Sequence, residues 1–135
     1  MVNLLGIFGN ISLQFFIFLL LVLSTYAAHS KRTKYHCSVI GIAFFLQLFT
    51  ILLIMYPSFS SITGMSISNR LLTELWIHHI AGFLVMLLII YINLSVKGYV
   101  HFLGDPYRLM KPTLLLWIIV MLGGVFIYIS LYAVG

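Results

Sequence analysis

Apolar residues dominate this chain, and polar positions break them into runs of membrane-crossing length. A helix needs about 20 mostly apolar residues to cross the hydrocarbon core. Four stretches meet that rule, at about 9–28, 37–56, 75–95 and 113–134. Three polar connectors separate them. The first is the basic "HSKRTKYH", and the second is the serine-rich "PSFSSITGMSISNRLLT" with the breakers Pro57 and Gly64. The third is "VKGYVHFLGDPYRLMKP", with Gly98, Gly104 and the turn-forming Asp105-Pro106. Pro112 is expected in the first turn of the last helix, where its missing N–H costs nothing. Short loops make neighbouring helices antiparallel. The pattern predicts an all-α integral membrane protein, with residues 1–135 forming one domain of four transmembrane helices in an up-down-up-down antiparallel bundle. The first run lacks a basic leader and is too long for a signal-peptide core, so it is read as a retained helix.

Composition strengthens the membrane reading. Hydrophobic residues make up 63% of the 135 positions and charged residues only 7%. The mean hydropathy of +1.19 leaves too little polar surface to cover a soluble domain. In a soluble chain a net charge of +5 would point to nucleic acid. Here the basic residues sit in the connectors, so they are read as topology determinants and lipid contacts, with no nucleic-acid partner. Lys31, Arg32 and Lys34 lie in the first connector, and Lys97, Arg108 and Lys111 in the third, whereas the second holds only Arg70. The positive-inside rule then puts those two connectors in the cytoplasm and both termini outside a plasma membrane. A single cysteine, Cys37, excludes an internal disulfide and a multi-cysteine metal site. Glu74 and Asp105 are too few for carboxylate-based catalysis.

Candidate chemistry falls into two layers. Near the outer boundary lie Gln14, His78, His79, Tyr128 and Tyr132, with Trp76 and Tyr56 as an aromatic belt. Adjacent helical residues point about 100° apart, so His78 and His79 do not form a two-ligand clamp. His79 or His78 is a candidate ligand for haem or a metal. The competing reading is an interfacial histidine bonded to Tyr128, Gln14 or a backbone carbonyl. At the inner boundary His29, His36 and His101 are candidate copper or zinc ligands with Cys37 as a fourth, against a reading as solvated loop histidines. Gln47 is expected to hydrogen-bond across to another helix, and Gly123-Gly124 to serve close helix packing.

In the last helix Trp117, Gly124, Tyr128 and Tyr132 follow one another at spacings of seven and four residues. His36 opens the second run after a basic connector, His79 (or His78) comes early in the third, and His101 precedes the fourth. This layout resembles an uncharacterised four-helix membrane family, catalogued as domain of unknown function four-twenty and including the YozB-like proteins. The family's association with haem-copper oxidase maturation implies a context rather than a reaction. The expected function is therefore a non-catalytic accessory or assembly subunit of a membrane-bound copper or haem redox complex. Its partners would be lipids and the other integral membrane subunits of a terminal oxidase, or in second place a copper membrane monooxygenase. Two alternatives stay open. One is a small electron-transfer protein binding its own haem or metal, and the other a purely structural subunit with no cofactor of its own.

Overall fold

A computed structural model describes residues 4–132. All regular structure among them is helical: α1 (Leu4–His29), α2 (Thr33–Thr50), a π turn (Ile51–Met55), α3 (Tyr56–Thr63), α4 (Asn69–Val96) and α5 (Pro106–Tyr132). Four helical stretches, Phe8–His29, Thr33–Thr63, Asn69–Val96 and Pro106–Tyr132, are long and apolar enough to cross a membrane. Between 17% and 33% of each apolar window is buried. So much uncovered apolar surface is untenable in water and is what a lipid-facing helix presents.

The chain divides into two compact units, Met1–Ile67 and Ser68–Gly135. Within each, two long helices pack as a hairpin. The buried stripe of α1 runs through Gln14, Ile17, Leu21 and Ser24, and that of α2 through Ala43, Gln47 and Thr50. In the second unit α4 buries Leu75, Val85, Met86, Ile89 and Ile92, and α5 buries Thr113, Trp117, Met121 and Ile127. Most neighbours in these stripes are three or four residues apart, the repeat of one helix face.

Both hairpins turn with the same device. Arg32 N–H donates to the Ala27 carbonyl (2.9 Å) and Lys31 N–H to the Ala28 carbonyl (3.1 Å). Tyr99 N–H donates to the Leu94 carbonyl (2.9 Å) and Gly98 N–H to the Ser95 carbonyl (3.0 Å). This double pattern is a Schellman cap, which needs a left-handed residue after the helix. Gly98 supplies it at φ 84°, and Lys31 supplies it at φ 59°.

Three expected boundaries need correction. The second span continues through Pro57 to Thr63 instead of ending near residue 56. The π turn shifts the hydrogen-bond register just ahead of Pro57, with Tyr56 N–H reaching the Ile51 carbonyl, so the proline enters the first turn of α3 without ending the helix. The third helix starts at Asn69, not near residue 75, because the Ser68 hydroxyl caps it by accepting from Leu71 N–H (3.3 Å). The fourth starts at Pro106, where Asp105 Oδ1 accepts from Tyr107 N–H (3.0 Å). Pro112 therefore lies inside α5 rather than in its first turn.

Candidate functional site

His36 sits in the first turn of α2 against the last turns of α1. Its Nδ1 lies 3.0 Å from the Ser24 carbonyl oxygen and 2.8 Å from Ser24 Oγ, while the Ser24 hydroxyl faces the His36 carbonyl at 3.4 Å. A carbonyl only accepts, so the hydrogen-bond network assigns the imidazole proton to Nδ1 and the lone pair to Nε2. Ser24 is fully buried and His36 half-buried, at the basic turn of the first hairpin. Histidines that bind metals usually have this preparation, with one ring N–H tied to a carbonyl and the opposite nitrogen basic.

The adjacent pair on α4 divides as helix geometry requires. His78 turns toward α5, where its ring occupies the space above Gly124. A Cβ built at Gly124 would lie 2.7 Å from His78 Cε1 and 3.2 Å from Nε2, and one at Gly123 would lie 4.0 Å from Nδ1. The Val120 backbone lies beside the same ring. His78 Nδ1 is buried and makes no close hydrogen bond, the polar group that faces the ring being that backbone. His79 points elsewhere. Its Nδ1 donates to the Leu75 carbonyl at 2.7 Å, and its ring meets that of His78 edge-on at 5.4 Å and 85°. Of the two, His78 is the residue held between helices, whereas the family layout favoured His79.

Within the second unit Tyr128 follows Gly124 by one turn. Its ring leans on Tyr132 with centroids 4.7 Å apart. Gln14 is buried on α1, in the first unit. His29 ends α1 and is exposed, and His101 is exposed in the α4–α5 connector. Among the described residues no three His, Cys, Asp or Glu side chains gather closely enough to hold a metal ion. His29 and His36 belong to the first unit and His101 to the second, and Cys37 is exposed.

Sequence reasoning missed Ser24, the buried partner that sets His36. The signal was faint: a serine inside an apolar run, some three turns before a histidine across a tight connector. It also missed the anchor of the third connector. There the Tyr91 hydroxyl accepts from Leu103 N–H at 2.9 Å, and its ring packs tilted against Phe102 with centroids 4.8 Å apart.

No family model, no curated protein and no solved structure matches the chain.

Proposed function

We propose that the chain is a non-catalytic accessory or assembly subunit of a membrane-bound copper or haem redox complex of the terminal-oxidase type. It would sit in the plasma membrane with both termini outside and the basic connectors in the cytoplasm. The observation that carries the proposal is His36, whose Nδ1–H is tied to Ser24 so that Nε2 keeps the lone pair. Copper and haem iron both accept imidazole nitrogen. The donors fit such a group as single ligands rather than as a closed set, which suits a subunit that completes or delivers to a site shared with a partner. The four-helix layout with histidines at its connectors adds the oxidase context through resemblance. The long apolar faces of all four spans, exposed in this chain, are available to lipid and to neighbouring subunits.

Deletion of the chain in its native host, complemented by wild type or by His36→Ala, tests the proposal. The expected result is loss of the oxidase haem spectrum in membranes of the deletion strain, restored by wild type and weakly by the variant. Unchanged oxidase spectra and copper content in the deletion strain would contradict it.

A second reading is favoured by the burial of the His78 ring between α4 and α5. In that reading the protein binds a haem or metal of its own. Purified protein would then show a Soret band or stoichiometric copper that His78→Ala removes. A colourless, metal-free and folded protein would exclude it.

A further inference from the structure

Among the described residues, the first hairpin buries three side-chain polar atoms with no partner: Asn10 Oδ1, Gln14 Nε2 and Gln47 Oε1. Gln14 is 8% exposed and Gln47 5%. A buried amide group without a partner has lost the hydrogen bonds it made to water, so three in one hairpin call for an occupant. All three residues lie inside the candidate spans Phe8–His29 and Thr33–Thr63, with Asn10 near the end of its span. In hydrocarbon no bulk water replaces a missing partner.

Register brings the three together. Ser24 meets His36 across the hairpin. Moving away from the turn by equal steps on both helices, Ile17 falls level with Ala43, Gln14 with Gln47 to within one residue, and Asn10 with Thr50. Gln14, Ile17, Ala43, Gln47 and Thr50 lie on the inward stripes already described, and the half-buried Asn10 lies one turn before Gln14, about 6 Å of rise. A direct bond from Gln14 Nε2 to Gln47 Oε1 would satisfy two of the atoms and leave Asn10 Oδ1 unpaired. Thr50 does not supply that donor, since its hydroxyl already donates to the Leu46 carbonyl at 2.8 Å. One donor and two acceptors are the complement of a single water molecule, which accepts from the first and donates to the other two.

We propose that the first hairpin holds a buried water molecule between α1 and α2, bound by Asn10, Gln14 and Gln47. The π turn starting at Ile51 begins one residue past Thr50, so the helix widens directly beside this polar level. Wide turns of this kind are frequent at functional sites. The site is independent of the redox proposal. It concerns what lies inside the hairpin, whatever complex the chain joins.

The test uses the full chain, with ¹⁵N-labelled Asn and Gln, in phosphatidylcholine–phosphatidylglycerol nanodiscs. Magnetisation transfer from water to the side-chain amide protons is the readout. The expected result is a cross-peak between a long-lived water and Gln14 Nε2 that is lost in Gln47→Met and weakened at least twofold in Asn10→Leu. Methionine keeps the glutamine's length, and Gln47→Leu serves as the second variant if the first fails to fold, because it removes the same acceptor and leaves the Gln14 amide to be read. No water cross-peak in the wild type, or a direct coupling between the Gln14 and Gln47 amides, would overturn the proposal. A cross-peak of full intensity in Gln47→Met would do the same.

Discussion

Replacing Gly124 by alanine probes the contact that holds α4 to α5. The new methyl would sit 2.7 Å from His78 Cε1 and 3.2 Å from Nε2. Relaxed carbon–carbon contacts lie at about 3.5–4.0 Å, so the ring must retreat by about 1 Å or the helices must separate. Overpacking of this kind costs about 1–3 kcal/mol. Alanine also favours the helix over glycine by about 1 kcal/mol, which opposes the clash. The balance is a destabilisation of about 0–2 kcal/mol, small enough that the magnitude alone decides little. The sign of the change in a second background does decide. Once His78→Ala removes the ring, Gly124→Ala has only its propensity gain and should stabilise. Gly123→Ala is the internal control, because its Cβ would meet His78 Nδ1 at 4.0 Å, an ordinary contact. It should be neutral or stabilising in both backgrounds. Unfolding midpoints in mild detergent, followed by circular dichroism, are the assay, each kcal/mol moving the midpoint by about 2–8 °C. Equal effects of Gly123→Ala and Gly124→Ala in the wild-type background, or no change of sign when His78 is removed, would refute the placement of His78.

Other substitutions test the turns and connectors. Gly98→Ala places a side chain at φ 84° and should cost about 1–2 kcal/mol, while Lys31→Gly relieves the same strain at φ 59° and should stabilise by up to that amount. Both are read from detergent unfolding midpoints, and shifts of the same sign would contradict the shared cap. Tyr91→Phe removes the acceptor of Leu103 N–H and should cost about 0.5–1.5 kcal/mol, with faster amide exchange at Leu103. Ser24→Ala removes the hydroxyl beside His36 but keeps the carbonyl, so the loss should be modest, about 0.5–1.5 kcal/mol, and the His36 Nδ1–H should remain visible by NMR.

The four spans were legible because lipid imposes a length and a composition that a sequence shows directly. Their ends were not, because capping is decided by single hydrogen bonds. Ser68 and Asp105 each recruit one or two extra helical turns that hydropathy has no reason to include. Pro57 read as a breaker yet is helical, through a π turn that sequence pattern does not reveal, and Pro112, expected in the first turn of the last helix, lies farther inside it. At the candidate site the 100° rule separated His78 from His79 correctly. Which of them faces α5 depended on helix rotation, and that was set by the bare surface at Gly124. Ser24 escaped notice because its role depends on the exact length of the turn at Lys31, which brings a buried hydroxyl opposite His36.

Capture of the tagged chain from native membranes in mild detergent, with mass spectrometry of its companions and metal and haem analysis of the same sample, tests the central proposal most directly. The expected result is stoichiometric recovery of integral membrane subunits of a copper or haem oxidase, with the metal signal travelling with the complex. A chain that migrates alone, while the oxidase assembles and works without it, would contradict the proposal.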